Sequence, residues 1–120
     1  MVTSYRDLKV WQAAMELADV VYGETGRFPE REVYGLRRQM EKAAVSIPSN
    51  IAEGHARDST REYLHHVSIS LGSLAELETQ TMLAFRRNYI PKDRQEVILT
   101  AADSVGRMRR GLQKSLKTRL

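Results

Sequence analysis

The segment QMEKAAVSIPSNIAEG, residues 39 to 54, places a proline inside an otherwise helical pattern. Apolar residues before the proline recur at three- and four-residue steps, and Ile51 extends the same stripe past Pro48. A proline in a helix interior removes the hydrogen bond to the carbonyl four residues earlier, here that of Ala44, at a cost of about 3 kcal/mol. The pattern therefore predicts a second helix that is kinked or broken between Ala44 and Ser49.

Short polar side chains around Pro48 are expected to hydrogen-bond the backbone groups that the proline frees. Ser46, Ser49 and Asn50 suit this role, and Gly54 is expected to end the helix. Asn50 and Glu53 lie three residues apart, which puts an amide and a carboxylate on one helix face. We interpret these residues as a structural polar network that joins the helix to its neighbour or to another subunit, rather than as a catalytic site.

Glycines, prolines and a capping motif elsewhere in the chain predict four helices. Glycines and Pro29 interrupt the first apolar stripe, Ser59 followed by Glu62 fits a capping box, and a link ending at Pro91 precedes the last stripe. The sequence contains neither strand-like alternation nor a hairpin signal. We therefore predict an all-α, antiparallel up-down four-helix bundle that forms one domain over residues 1–120, with the second helix kinked at Pro48. The predicted helices cover roughly residues 7–23, 30–54, 59–87 and 92–115.

The predicted core face of the third helix contains one acid. The stripe consists of Leu64, Val67, Leu71, Leu74, Glu78, Met82 and Phe85. Glu78 is therefore expected to be buried and to need a partner, whereas Glu76 is expected to face a neighbour or solvent. The candidate partners are Arg37, Arg38, Lys42 and Asn50. Gly72 lies among serines and is expected to allow the close approach of another helix.

Composition narrows the class of protein. The 120 residues are 42% hydrophobic and 28% charged, which is typical of one globular domain. The absence of cysteine excludes disulfides and a thiol nucleophile, and favours a reducing compartment such as the cytoplasm. No apolar run approaches the roughly 18 residues of a membrane span, so a cytoplasmic protein without a membrane partner is expected.

Positive charge is concentrated at the C-terminal end, and no acidic residue follows Asp103. The predicted nucleic-acid contacts are Arg107, Arg109, Arg110, Lys114 and Lys117, with Arg37, Arg38 and Lys42 as a secondary patch. Because aromatic residues are not interleaved with these cations, such binding is expected to involve the phosphate backbone and to depend strongly on salt.

One pair of residues raises the alternative of a metal-dependent enzyme. Glu62 and His65 form an E-x-x-H pair, the spacing that supplies two metal ligands in ferritin-like bundles. The pair occurs once, and a di-iron site needs a second pair and further carboxylates. We therefore predict no catalytic residue, metal or cofactor, and we expect His55 and His66 to be exposed near helix ends.

Two motifs carry a resemblance to a known family. SIPSNIAEG (residues 46–54) and GSLAELET (residues 72–79), together with YRDLKVWQAAMELADVVY near the N-terminus, resemble the bacterial four-helix-bundle proteins encoded in intervening sequences of large-subunit ribosomal RNA genes. The resemblance implies an antiparallel four-helix bundle that assembles as a homopentameric ring or barrel, with no established enzymatic activity. More distantly, the chain resembles the accessory protein of diversity-generating retroelements, a basic barrel that binds nucleic acid and a reverse transcriptase.

These observations favour a non-enzymatic, oligomeric binding or scaffold protein with RNA or DNA as its partner. The alternative is a protein-protein adaptor that recruits a partner enzyme.

Overall fold

The computed structural model describes residues 3–120, which form four α-helices and two short 3-10 helices, with no strand in that range. The α-helices are α1 (Lys9–Thr25), α2 (Leu36–His55), α3 (Thr60–Arg86) and α4 (Lys92–Lys117), and the 3-10 helices cover Tyr5–Asp7 and Glu30–Glu32. The predicted all-α four-helix fold is therefore confirmed. None of the four helices is both long enough and apolar enough to cross a membrane.

The helices form a square bundle in which each one packs against two others. Helices α1 and α3 each contact both α2 and α4. Across the α2/α3 contact, Ser46 meets Ser73 and the later residue Asn50 meets the earlier residue His66, so the two helices run in opposite directions. The largest fully buried aliphatic side chains fill the centre of the bundle. They are Leu17, Met40, Ile47, Ile51, Leu77 and Ile98, whereas the buried Leu116 lies in the last turn of α4, outside this core cluster.

Helix α2 continues through Pro48, so of the two expected outcomes, a kink or a break, the break does not occur. Pro48 is buried, and the neighbouring Ala44, Ile47 and Ile51 are also in the core. Tertiary packing of this apolar face offsets the missing hydrogen bond, as it commonly overrides local helix propensity. The side-chain amide of Asn50 donates to the carbonyl of Ser46 at 2.9 Å rather than to the freed carbonyl of Ala44.

Helix α2 also begins at Leu36 rather than near residue 30. Residues Glu30–Glu32 form a 3-10 helix, and Glu32 Oε1 accepts a hydrogen bond of 2.9 Å from the backbone N–H of Leu36. A carboxylate satisfies an otherwise unpaired N–H at the positive end of the helix. Glu32 therefore caps α2 from outside it, which sets the start of the helix.

The predicted core face of α3 is partly wrong. Val67 and Leu74 are buried, whereas Leu71 and Met82 are exposed. Their places in the core are taken by Ser70, Leu77, Thr81 and Ala84. Ser70 Oγ donates to the Ile47 carbonyl at 3.0 Å, and Thr81 Oγ1 donates to the Leu77 carbonyl at 2.8 Å. Because both hydroxyls are bonded, these polar residues are buried at little cost, which apolar patterning does not detect.

Two glycines have roles that differ from those predicted. Gly54 lies within α2, and a Cβ there would approach the Cβ of His66 to 2.8 Å and Tyr63 Cδ1 to 3.0 Å. Gly72 is exposed, and a Cβ there would meet no atom within 4 Å among the described residues. The close approach of α2 and α3 therefore depends on Gly54, whereas Gly72 faces open space.

Candidate functional site

The exposed cations of the C-terminal half of α4 lie on one side of the helix. Arg107, Arg110, Lys114 and Lys117 follow at steps of three and four residues, and we call them the basic stripe. Arg107 Nη1 lies 3.8 Å from the carboxylate of Asp103, and both side chains are solvent-exposed. Within residues 3–120, the other three cations form no ion pair. The basic stripe is therefore an electropositive surface available to an anionic partner.

Arg109 does not belong to this surface, which corrects the sequence prediction. Its side chain is turned into the bundle, with 7% of the residue exposed. Its Nη1 donates to Oε1 of Gln113, and its Nε has no partner among the described residues. Burial, followed by the positive charge of Arg110, lowers the pKa of Arg109. A buried guanidinium cannot contact the phosphate backbone of a nucleic acid.

The predicted secondary patch lies at the opposite end of the bundle. Arg37 is half-buried, and its Nε donates to Glu41 Oε2 at 3.1 Å, so its charge is already paired. Arg38 and Lys42 are exposed. Because α2 and α4 start at the same end, the first turns of α2 are far from the last turns of α4. The structure therefore does not bring the two predicted basic groups together.

A chain of hydrogen bonds joins α2 to α3 beside Pro48, and we call it the polar seam. It consists of Ser46, Asn50, His66 and Ser73. Ser46 Oγ lies 2.7 Å from Ser73 Oγ, Asn50 Nδ2 lies 3.1 Å from Ser46 Oγ, and Asn50 Oδ1 lies 3.0 Å from His66 Nδ1. The side chain of His66 is 13% exposed, so the expectation of an exposed histidine is wrong.

The hydrogen-bond pattern of the polar seam fixes the tautomer of His66. Asn50 Nδ2 donates to the Ser46 carbonyl, which can only accept, so the amide orientation is determined. Its Oδ1 then faces His66, and Nδ1 of the imidazole must donate the shared hydrogen. The seam has a structural geometry, because its groups are satisfied by one another and by the backbone.

The acidic residues singled out in the sequence do not form a shared site. Glu53 is exposed, its Oε1 accepts from Arg57 at 3.4 Å, and its Oε2 lies 3.9 Å from His66 Nδ1. Glu78 is half-buried and has no hydrogen bond or ion pair among the residues described, so its predicted pairing is wrong. Its position on α3 faces away from α2, which carries all of its candidate partners. Glu76 is exposed, as expected.

A groove of about 740 Å³ between α2 and α3 collects residues from the two motifs that distinguish the sequence. Ser46 comes from SIPSNIAEG, whereas Ser73 and Glu76 come from GSLAELET. Gln80 also lines the groove, and its buried Oε1 has no partner within residues 3–120. The motifs therefore meet in space because they specify one helix contact.

The E-x-x-H pair is solvent-exposed. Glu62 and His65 lie in the first turns of α3, where Ser59 Oγ accepts from the Glu62 backbone N–H at 3.1 Å. This bond confirms that Ser59 caps the helix. Within the described part of the chain, no group of three or more His, Asp or Glu side chains is positioned to hold a metal ion.

Sequence reasoning missed three polar contacts at the other end of the bundle. Tyr89 donates its hydroxyl to Glu32 Oε2 at 2.8 Å, Arg94 pairs with Glu24, and Thr25 donates to Glu41 Oε2 at 2.6 Å. The first two pairs are 57 and 70 residues apart in sequence. No local signal identifies such partners, because only the fold brings them together.

Comparison with known proteins identifies a similar crystal structure and a matching protein family. The chain is similar to a crystal structure described as a protein with unknown function from the S23 ribosomal protein family from Bacteroides thetaiotaomicron VPI-5482. The two are 21% identical, with a TM-score of 0.81, and the match covers 88% of this chain and 98% of the other. At that identity the likeness establishes the fold alone. No significant match was found among curated proteins. The model of the 23S rRNA-intervening sequence protein family matches residues 6–111, and this chain belongs to that family.

Proposed function

We propose that this protein is a non-enzymatic, oligomeric binding or scaffold protein that contacts the phosphate backbone of RNA or DNA through its basic stripe. The observation that carries this proposal is the alignment of Arg107, Arg110, Lys114 and Lys117 along one exposed side of α4. Phosphate neutralisation by lysine and arginine provides most of sequence-independent affinity for nucleic acids.

The pairing of charges distinguishes most of the basic stripe from two other arginines. Arg37 and Arg94 are held by Glu41 and Glu24, so they are less available to a phosphate. By contrast, Arg110, Lys114 and Lys117 form no ion pair within residues 3–120. A free cation releases counterions on binding a phosphate without first losing a protein partner.

Oligomerisation would strengthen binding by repeating the basic stripe. Several large apolar side chains are exposed on the single subunit, among them Met15, Tyr22 and Val45 on the α1/α2 side. Such residues favour burial against another copy of the chain. We propose a homo-oligomer, with the pentamer that the family resemblance implies as the specific assembly, in a cytoplasmic setting. Repeated weak phosphate contacts would then act together.

A salt-titrated binding assay tests the proposal. Fluorescent single-stranded RNA and duplex DNA are titrated with purified protein at increasing salt, with light scattering on the same sample to give its mass. We expect binding at low salt and a steep loss as salt rises. The double variant Lys114→Glu/Lys117→Glu is expected to abolish it, whereas the matched variant Arg38→Glu/Lys42→Glu at the other end is expected to retain it.

Absence of binding at low ionic strength would contradict a role in nucleic-acid binding. Equal losses in the two double variants would instead mean that net charge, and not the basic stripe, controls the interaction. A monomer in light scattering would contradict the proposed assembly while leaving the surface itself unaffected.

The alternative of a protein-protein adaptor is favoured by a different surface. A groove of about 570 Å³ between α1 and α4 has the partly exposed apolar residues Val97 and Met108 in its lining. Glu16, Asp93 and Glu96 also line it. Carboxylates repel nucleic acid, so this groove suits a protein partner with apolar and basic side chains. Loss of a single co-purifying protein on Met108→Glu substitution, with nucleic-acid binding retained, would support this second function.

A further inference from the structure

A shallow cavity of about 480 Å³ lies beside the last turns of α4 and is rich in hydrogen-bond donors. Its lining consists of Arg110, Gln113, Lys114, Lys117 and Thr118. The three cations only donate, and Thr118 already uses its hydroxyl hydrogen for the Ser115 carbonyl at 2.6 Å. The carbonyl end of the helix adds partial negative charge, but three full positive charges outweigh it.

The amide side chain that lines this cavity, that of Gln113, has a fixed orientation. Arg109 Nη1 donates to the side chain of Gln113, and a guanidinium has no acceptor, so the atom of Gln113 facing it is Oε1. The amide NH₂ of Gln113 consequently points away from Arg109. Gln113 lines the cavity, and since its Nε2 forms no hydrogen bond within residues 3–120, this group is free to donate.

Arg109 makes the positive potential behind the cavity larger. It is buried, it forms no ion pair within residues 3–120, and its Nε is unpartnered. Burial, followed by the positive charge of Arg110, lowers the pKa of Arg109. The two guanidinium groups therefore repel each other when no anion is bound. An anion in the cavity would relieve this repulsion.

We propose that Arg110, Gln113, Lys114 and Lys117 form a phosphoryl-binding site in which Gln113 Nε2 donates to a phosphate oxygen. Arg109 is the positioning residue, because it fixes the Gln113 amide from inside the bundle. Backbone phosphates of RNA are one source of this ligand, and a free polyphosphate is the other. For the RNA source, the inference rests on the proposed function and assigns one neutral residue to the contact.

Nuclear magnetic resonance of the side-chain amides tests the site directly in the full chain. Protein labelled with ¹⁵N is titrated with inorganic pyrophosphate and, separately, with a single-stranded RNA oligonucleotide. We expect the NH₂ resonances of Gln113 to shift with both probes, while those of Gln95 at the other end of α4 stay in place.

Three variants separate a directed hydrogen bond from general charge attraction. Gln113→Met keeps the net charge and removes the donor, and it is expected to weaken pyrophosphate binding roughly tenfold, the effect of one charge-assisted hydrogen bond. Gln113→Glu keeps the acceptor that Arg109 needs, so it preserves the fold while removing the donor, and it is expected to weaken binding at least as much. The matched control Gln95→Glu changes the charge equally and is expected to weaken binding less than about twofold.

The outcomes distinguish the site from the wider proposal. Equal effects of Gln113→Glu and Gln95→Glu, or unmoved Gln113 resonances while RNA binds, would overturn the site and leave nucleic-acid binding intact. Shifts at Gln113 with pyrophosphate but no RNA binding would support the site for a free polyphosphate and contradict the proposed function.

Discussion

Nδ1 of His66 lies 3.0 Å from Oδ1 of Asn50, so a histidine of α3 donates to an amide of α2 two residues after Pro48. The same amide is anchored to the Ser46 carbonyl at 2.9 Å. The side chain of Asn50 thus forms one hydrogen bond with a group on α2 and another with a group on α3.

Replacing Asn50 by leucine is expected to lower the free energy of unfolding by about 1–3 kcal/mol, because the largely buried His66 loses its acceptor. Urea denaturation followed by circular dichroism measures the change. Ser49→Ala is the control, since Ser49 is exposed and its replacement should change stability by less than about 0.5 kcal/mol. Similar effects of the two substitutions would contradict a structural role for the polar seam.

Alanine at Gly54 and at Gly72 should act in opposite directions. At Gly54 the new Cβ would lie 2.8 Å from the Cβ of His66, and overpacking of this kind costs about 1–3 kcal/mol, more than the gain in helix propensity. At Gly72 the Cβ meets open space, so alanine is expected to stabilise the helix by roughly 0.5–1 kcal/mol. Thermal unfolding of both variants measures this. Destabilisation by Gly72→Ala, accompanied by a smaller mass in light scattering, would instead locate Gly72 in a subunit contact.

Stability below neutral pH should depend on Glu32. The hydrogen bond from Leu36 N–H, then that from Tyr89, holds the pKa of Glu32 below its ordinary value of 4.5. The carboxylate therefore contributes stability that is fully present above pH 4.5 and is lost as the pH falls through the lower pKa of the folded state. Unfolding curves of the native protein and Glu32→Gln should differ at pH 7 and converge in acid. A difference that stays constant with pH would show that the carboxylate charge is not what caps α2.

Arg109 is expected to lower the free energy of unfolding. Among the described residues its buried guanidinium has no acidic partner, and replacing an uncompensated buried charge by an apolar side chain of similar volume is often neutral or stabilising, here by about 1 kcal/mol. Chemical denaturation of Arg109→Met is expected to move to higher urea, while Arg107→Met, which removes an exposed charge, should leave the midpoint nearly unchanged. A clear fall in the midpoint for Arg109→Met would mean that the buried guanidinium holds the bundle together.

The apolar periodicity and the positions of capping and loop residues are sufficient to predict the coarse fold. Apolar residues at helical spacing, the Ser59 cap and the proline-containing links predict four helices, because these signals depend on neighbours a few residues apart. The same information predicts that cations accumulate along α4. Arg109 lies four residues after Val105 and seven before Leu116, on the buried side of α4, whereas Arg107 and Arg110 lie off that stripe. Grouping the three cations by charge alone overlooks this difference.

Local patterns along the chain specify the helical class, the family motifs and the position of Pro48. Contacts between helices specify that α2 runs through the proline, that Gly54 rather than Gly72 permits close packing, and that Ser70 takes a place in the core. Local patterns cannot predict these three features, because each of them depends on a partner on another helix. The contribution of a buried hydroxyl, a missing Cβ or an unpaired cation to stability depends on the atoms that it contacts, and those atoms are distant in the chain.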